Sequence, residues 1–332
     1  MSVGVYNVPG RSDVHVDRPL TNMSIAFRQS ADMFVADRAF PVLPVQKQTD
    51  SFFRIPRGAL LRDQMEKKAP GAGPAMANFN YDTDTYRCDI WALATAVADE
   101  IRANADSPLN LDRDMTEFLT GQGLIRKERL WATQFFTTGV WTLDQTGVAA
   151  APGANQFLQW NDATSNPIED IRAGKRRVHG RTGYRPNKLI LGRQVYDTLL
   201  DHPDIIGRVD RGQTTGPAIV LRQNLAALFE LDEVLVMDAI YNSAAEGAAD
   251  SYAFIGGKAA LLIYSPSSVS LQTVAAGVTM SWSGLLGGGA LGMNMRRIRH
   301  DREQMDELIA QMAFDQKLIS ADLGQFFATA VA

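Results

Sequence analysis

The sequence predicts an α+β protein, and three observations favour this fold class. Residues 103–141 have the spacing and charge distribution of one long amphipathic helix. Before this helix, residues 51–98 contain two strand-like runs that flank a polar segment rich in glycine and proline. After it, residues 168–282 alternate short helical patterns with short apolar runs. Together these segments predict a long helix, an extended two-stranded excursion and a mixed unit of helices and strands.

Composition limits the class of protein. With 332 residues the chain can form two compact domains, or one domain with long excursions. The formal net charge of -4 argues against a protein whose main role is to neutralise nucleic-acid phosphates. Cys88 is the only cysteine, which excludes an intrachain disulfide and a thiolate metal cluster. No apolar run approaches the ~18 residues of a membrane span, and no signal core follows Met1, so we expect synthesis in a cytoplasm and no membrane contact.

The first fifty residues are predicted to form an extended arm. Prolines in VYNVPGR, DRPL and FPVLPV disfavour a regular helix, although SIAFRQSADMFVADRAF can form a short one. An arm cannot bury its own large apolar side chains, so Phe27, Phe34 and Phe40 are predicted to contact another subunit. The alternative is that this segment docks on the core of its own chain.

Residues 51–98 predict a long two-stranded excursion. SFFRIPRGALL and TYRCDIWALATAV are strand-like, and the intervening prolines and glycines favour a loop. A lone two-stranded ribbon buries too little apolar surface to be stable in water, so this segment implies a partner surface. We therefore predict that Arg57, Arg62, Lys67 and Lys68 contact a neighbouring subunit.

The long helix has recognisable start and stop signals. Ser107 is predicted to cap it and Pro108 to occupy its first position. Acidic residues lie toward its amino end and basic residues toward its carboxyl end, which complements the helix dipole. Gly121 and Gly123 each weaken the middle by about 1 kcal/mol relative to alanine, so the helix is expected to bend there. The polar, small residues of 143–167 predict an exposed linker to the mixed unit.

The amino-acid sequences of several segments resemble those of one protein family. RANADSPLNLDRDMTEFL followed by FFTTGVW resembles the spine-helix region of tailed-bacteriophage major capsid proteins with the HK97-like fold. NKLILGRQVYDTLLDHPDI and FELDEVLVMDAIYN resemble the axial domain of the same family. The resemblance implies an amino-terminal arm (1–50), an E-loop (51–98), a peripheral domain with the spine helix (99–180), an axial domain (181–295) and a return segment that completes the peripheral domain (296–332).

The resemblance also implies a function. Such a chain assembles into hexamers and pentamers of an icosahedral head shell that encloses double-stranded DNA, and its partners are itself, a portal and separate scaffolding or decoration proteins. The start at Met1 is expected to leave no room for a large built-in scaffolding segment. The site of action is the virion capsid, assembled in the host cytoplasm. No enzymatic activity, cofactor or metal is expected.

Two basic clusters are candidate contact surfaces. They consist of Lys175, Arg176, Arg177, Arg181 and Arg185 in the first, and Arg296, Arg297, Arg299 and Arg302 in the second. One interpretation is a solvated face or ion pairs with acids of the same chain. The functional interpretations are salt bridges between subunits or contact with packaged DNA.

Two other functions compete with the shell subunit. An encapsulin-like compartment shares the fold but encloses protein cargo. A nucleotide-binding enzyme is suggested by the glycines of residues 287–292, which match G-x-G-x-x-G, but the motif needs a following helix within a βαβ unit. The four histidines are dispersed and no catalytic serine motif is present. A covalent crosslink through Lys67 or Lys68 is not expected, because lysines in a polar loop are ordinarily solvated.

Overall fold

The computed structural model describes residues 29–54, 57–71, 73–78, 81–105, 109–210, 222–270, 273–286 and 293–332. The helices are α1 (Ala36–Ala39), α2 (Arg57–Leu60), α3 (Asp99–Asn104), α4 (Leu111–Phe135), α5 (Pro167–Thr182), α6 (Arg193–Leu200), α7 (Pro203–Asp210), α8 (Arg222–Phe229) and α9 (Ser283–Leu286), with short 3-10 turns at Ala31–Met33 and Ala321–Leu323. The strands are β1 (Val42–Val45), β2 (Thr49–Arg54), β3 (Asp82–Arg87), β4 (Asp89–Ala98), β5 (Leu143–Val148), β6 (Gln156–Leu158), β7 (Lys188–Gly192), β8 (Glu233–Met237), β9 (Ile240–Asn242), β10 (Tyr252–Phe254), β11 (Ala260–Ile263), β12 (Gly277–Trp282), β13 (Met293–His300), β14 (Met305–Leu318) and β15 (Gly324–Ala328).

A six-stranded mixed sheet, which we call the axial sheet, forms the main core. Its order is β6-β5-β15-β11-β7-β8, with β15 and β7 both antiparallel to β11. Successive residues of β7 alternate between two buried clusters, Leu189 and Leu191 on one face and Ile190 on the other. The three central residues of KLILG are all apolar, without alternation, because both faces of this strand are covered.

The topology corrects the predicted assignment of two segments and, as a result, the predicted range of the axial domain. Residues 143–167 are not an exposed linker, because they contain β5 and β6 and bury Phe157 and Trp160 in the axial core. The carboxyl-terminal strand β15 pairs with β5 and β11, so the end of the chain completes the axial sheet rather than the peripheral domain. The axial unit therefore draws on sequence from both sides of the predicted range 181–295.

A second sheet packs against the long helix. Its central strand, β14, pairs with β4, β12 and β13, and β12 also pairs in parallel with β1. Leu119 of α4 packs against Met293 and Met312 of this sheet. The long helix and this sheet overlap only in part with the predicted peripheral domain, because β1, β4 and β12 lie outside its predicted ranges of 99–180 and 296–332.

The long helix is confirmed, but its ends are corrected. It begins at Leu111, where the side chain of Asn110 accepts a hydrogen bond from the N–H of Arg113 at 3.2 Å. Asn110 is therefore the cap in place of Ser107, which lies with Pro108 outside the described residues. The helix ends at Phe135, whose carbonyl accepts the indole N–H of Trp141 at 2.7 Å. None of the described helices is long and apolar enough to cross a membrane.

The two glycines of the long helix occupy different environments. The helix continues through both. A Cβ on Gly121 would meet nothing within 4 Å, whereas a Cβ on Gly123 would lie 2.1 Å from Cε of Met293 and 3.2 Å from Sδ of Met312. Gly123 therefore permits close approach of the helix to the sheet. A bend at these glycines remains a prediction.

Part of the predicted arm belongs to the core of its own chain. Phe34 is buried, and Phe40 is fully buried with its ring centroid 5.6 Å from that of Trp131 and 4.8 Å from that of Phe135. The prediction that Phe34 and Phe40 contact another subunit is therefore wrong, since both side chains, which flank the short helix α1, are buried within their own chain. Phe27 lies outside the described residues.

Candidate intersubunit surfaces

A narrow antiparallel ribbon extends from the second sheet. Strands β2 and β3 pair in register from Thr49 opposite Arg87 to Arg54 opposite Asp82. This ribbon is the two-stranded excursion that the sequence predicted, although it is shorter. The second predicted run is divided between β3 and β4, and β4 joins β14 in the larger sheet.

The ribbon is anchored at its base and exposed along its length. Tyr86 and Cys88 are buried in a small cluster at the base. Further out, Phe53 is 72% exposed and Tyr81 is 58% exposed, with their ring centroids 5.9 Å apart. Leu60, Leu61, Met65 and Met76 in the loop are also exposed. This concentration of large apolar side chains is the feature of a surface that another molecule covers.

The basic side chains of the loop that the structure describes all lie in solvent. Arg62, Lys67 and Lys68 are exposed, and the side chain of Arg57 lies outside the described part of the chain. Their contact with a neighbouring subunit remains a prediction.

The first basic cluster divides into one internal and several exposed residues. Lys175 donates from Nζ to the carbonyls of Phe229 and Glu230 at 2.6 and 2.9 Å, so it fastens α5 to the end of α8. Arg181 lies 3.8 Å from the carboxylate of Asp322. Arg176, Arg177 and Arg185 are exposed. The outer face of α5 is therefore basic and exposed, and Arg185 adds positive charge just beyond its carboxyl end.

The second basic cluster is largely an ion-pair network within the chain. Arg297 and Arg102 bind the carboxylate of Asp306, with Arg102 at 2.8 Å, and hold the pKa of Asp306 well below its ordinary value. Arg299 pairs with Asp99 at 2.5 Å. These contacts favour the interpretation of internal ion pairs for Arg297 and Arg299. Exposed Arg296 and Arg302 have no ion pair with any residue that the structure describes.

The features that would support an enzyme are weak. The glycines of 287–292 lie outside the described residues, but the segment that follows them is strand β13 and not the helix that a dinucleotide site needs. Burial raises the pKa of Cys88 to about 12, with Asp315 adding to the shift, which makes its thiol a poor nucleophile. Among the described residues, no group of three histidine, cysteine or carboxylate side chains could hold a metal.

Sequence reasoning missed one exposed surface. Ile90 and Leu93 of β4 are about half exposed, on opposite faces of a strand that the larger sheet only partly covers. Trp91 and Ala92 lie between them, so the apolar pattern of the strand did not reveal which of its side chains remain exposed.

The sequence is similar to a known protein family and to a curated relative. The family model described as phage major capsid protein E matches residues 157–317. The major capsid protein of Burkholderia phage BcepMu is 25% identical over 230 residues, which cover 68% of this chain and 70% of that protein.

Comparison of the structure with solved structures gives the same fold. A phage-related protein of Bordetella bronchiseptica RB50 matches with a TM-score of 0.66 at 19% identity, covering 92% of this chain and 94% of the other. The capsid structure of cyanophage P-SCSP1u matches with a TM-score of 0.60 at 11% identity, covering 96% and 93%. The SrpI encapsulin of Synechococcus elongatus PCC 7942 matches with a TM-score of 0.55 at 12% identity, covering 93% and 92%. The predicted HK97-like fold is confirmed.

Proposed function

We propose that this chain is a major capsid protein of a tailed bacteriophage and builds the icosahedral head shell by assembling with copies of itself. The observation that carries the proposal is the exposed ribbon of β2 and β3. Among the described residues its two strands pair with each other, and Phe53 near its outer end is largely exposed in the single chain. Such a ribbon is stable only when another surface covers it.

A neighbouring subunit is the partner that suits the ribbon best. Each copy carries the same ribbon and the same sheet edges, so one contact repeated around a ring satisfies all copies. Rings of six and of five then close a shell, and many weak contacts become collectively stable. In this arrangement the ribbon acts as the E-loop of the family, and contacts from Arg62, Lys67 and Lys68 form its polar rim.

The exposed face of α5 is a candidate for contact with packaged DNA. Arg176 and Arg177 of α5, and Arg185 just after the carboxyl end of this helix, present positive charge to solvent on a chain with net charge -4. A modest basic patch is sufficient here, because a closed shell retains DNA without tight binding. Scaffolding, portal and decoration proteins complete the proposed set of partners, and the shell is assembled in the host cytoplasm. The role is structural, with no enzymatic step and no cofactor.

An encapsulin-like compartment is the second candidate, favoured by the structural match to an encapsulin. The match of the sequence to phage capsid proteins favours the head shell. The contents of particles purified from infected or induced cells separate the two functions. Nuclease-protected genomic DNA identifies a head shell, and a co-purifying protein cargo identifies a compartment.

Electron microscopy of the purified full-length chain, with sedimentation velocity on the same sample, tests the assembly itself. We expect closed particles of uniform diameter, alone or with a co-expressed scaffolding protein. A chain that stays monomeric under both conditions contradicts the proposal.

A further inference from the structure

The ribbon leaves the second sheet where one pairing ladder ends. Strand β4 pairs with β14 as far as Asp89, which lies opposite Phe314. Phe314 also pairs with Ser281 of β12, so β4 and β12 lie on opposite sides of β14. Residues 315–318 of β14 continue beside β12. On the other side of β14, the chain passes through Cys88 into β3, which pairs with β2 in the ribbon.

Two side chains of β14 contact β3 beyond the end of this ladder. Oδ2 of Asp315 accepts a hydrogen bond from the N–H group of Arg87 at 3.0 Å. Two residues further along β14, Nζ of Lys317 lies 3.2 Å from Oδ1 of Asp84. Residues that are two apart in a strand point to the same face of the sheet, so both contacts come from one face of β14. Side-chain contacts therefore follow β3 after the pairing of β4 with β14 has stopped.

The carboxylate of Asp84 connects both strands of the ribbon to β14. Its Oδ1 also accepts the N–H group of Thr85 at 2.8 Å, and Nη1 of Arg54 in β2 lies 3.5 Å from its Oδ2. The side chains of Lys317 and Asp84 are 31% and 26% exposed, so their ion pair is screened less than a fully exposed pair. A displacement of either strand relative to β14 would stretch one of these contacts.

Apolar packing holds the base of the ribbon but does not give it a direction. Tyr86 and Cys88 pack in the small cluster at the base with Val278 and Met280 of β12. Apolar contacts of this kind are non-directional. A hydrogen bond, in contrast, weakens steeply when its distance or angle departs from the optimum. The polar contacts from β14 therefore supply the directional part of the attachment.

We propose that Asp315 and Lys317 are positioning residues, which fix the direction in which the ribbon leaves the subunit and so present Phe53 and Tyr81 to a neighbouring subunit. A fixed direction favours assembly, because a ribbon that is already ordered loses less conformational freedom on binding. The role in assembly rests on the proposed function, whereas the direction of the ribbon is a property of the single chain.

Distances between two spin labels, measured by double electron–electron resonance on unassembled full-length subunits, test the direction of the ribbon. Thr83→Cys places one label near the outer end of β3 and Gln134→Cys places the other on α4, both at exposed positions. Cys88 is fully buried, so we expect it to remain unlabelled. We expect one narrow distance distribution in this doubly labelled protein. A broad distribution would contradict a fixed direction.

Variants of the two positioning residues are then compared with the doubly labelled protein. Lys317→Met removes the ion pair and Asp315→Ala removes the acceptor of the Arg87 N–H group, so we expect each to broaden the distribution and to shift its mean. Asp315→Asn keeps an oxygen acceptor and is expected to retain the narrow distribution. The matched control Arg208→Met removes an exposed cationic side chain on α7, and we expect it to change nothing.

The outcomes separate positioning from a general loss of packing. An unchanged distribution in Lys317→Met or in Asp315→Ala overturns the role of that residue. A distribution in Asp315→Asn as broad as that in Asp315→Ala overturns the role of the hydrogen bond. If Asp315→Ala does not fold, Lys317→Met decides alone, because its side chain is partly exposed and the variant is expected to unfold at the wild-type temperature.

Particle yield of the same variants without labels tests the consequence for assembly. We expect the yield of Lys317→Met to fall although Phe53 and Tyr81 are intact, and the yield of Arg208→Met to stay at the wild-type level. A wild-type yield from a variant whose distance distribution is broadened overturns the role in assembly. An absence of particles from the wild-type chain contradicts the proposed function instead, and the distance measurements still decide the direction of the ribbon.

Discussion

The axial sheet and the β2–β3 ribbon are both built from strands, yet they depend on different partners. The axial sheet has six strands, and in β7, β11 and β15 every residue is buried. The ribbon has two strands, and Phe53 near its outer end is 72% exposed. The first region completes its packing within one chain. The second leaves apolar surface for a second chain to cover.

This difference implies that one region determines the stability of the subunit and the other determines its assembly. Burial within the chain supports folding of the subunit, because it removes apolar area from water before any neighbour arrives. Apolar area that is covered only in the shell contributes to association and not to folding of the free subunit. Changes in the axial sheet should therefore affect folding, and changes in the ribbon should affect only assembly.

Removal of the ribbon loop is expected to have the largest effect. Arg54 and Asp82 are paired residues, so an Asn-Gly turn in place of residues 55–81 closes the hairpin in register. We expect shell formation to be lost, because the apolar loop surface is gone, while the subunit remains folded. Electron microscopy and thermal unfolding measure the two effects. Normal shells would show that the loop is not needed for assembly. An unfolded subunit would show that the loop is needed for folding.

A matched pair of phenylalanine truncations compares the regions directly. Phe327 is fully buried in the axial core, so Phe327→Ala is expected to lower the free energy of unfolding by about 3–5 kcal/mol. Phe53 is largely exposed, so Phe53→Ala is expected to stay within about 0.5 kcal/mol of wild type while reducing particle yield. Urea denaturation of unassembled subunits gives both values. Equal losses of stability in the two variants would contradict the distinction between the axial sheet and the ribbon.

Charge reversal on α5 tests an exposed surface outside the ribbon. Arg176 and Arg177 are exposed, so Arg176→Glu with Arg177→Glu is expected to impair particle formation without lowering the stability of the free subunit. Particle yield on a gradient and thermal unfolding are the measurements. A wild-type yield would remove α5 from the set of contact surfaces.

The two helix glycines offer the smallest and most local test. Gly121→Ala is expected to stabilise the subunit by about 1 kcal/mol, because its Cβ enters open space on a helix. At Gly123 the Cβ would meet the side chains of Met293 and Met312, so Gly123→Ala is expected to lose that gain and to fall below Gly121→Ala by at least about 1 kcal/mol. Thermal unfolding of both variants ranks them. Identical values would show that the methionines move freely.

The sequence predicted elements whose signals are local. The apolar run of β7, the long helix α4 and the helix α5 each carry their own pattern in the sequence. The prediction of an exposed linker was wrong because the small and polar residues around Phe157 and Trp160 indicate a loop, although these two side chains pack in the core. The cap prediction failed because Ser107 and Asn110 are both acceptable caps by residue type.

Contacts between segments that are distant in the sequence could not be predicted from local patterns. Phe40 was placed on a neighbour because nothing in residues 1–50 reveals that Trp131 and Phe135 form its site. Asp315 was overlooked for the same reason, since the N–H group of Arg87 that it binds lies 228 residues away in the sequence. Among the candidate contacts, the exposed ribbon was predictable, because a two-stranded excursion needs a partner wherever it lies.

A density map of the assembled particle by electron cryomicroscopy, at a resolution that shows side chains, tests the central claim most directly. The account predicts that Phe53 and Tyr81 of each ribbon lie buried against a neighbouring subunit, while Phe327 and the axial sheet keep the contacts of the single chain. A shell in which the ribbon folds back on its own subunit, with Phe53 still in solvent, would contradict it.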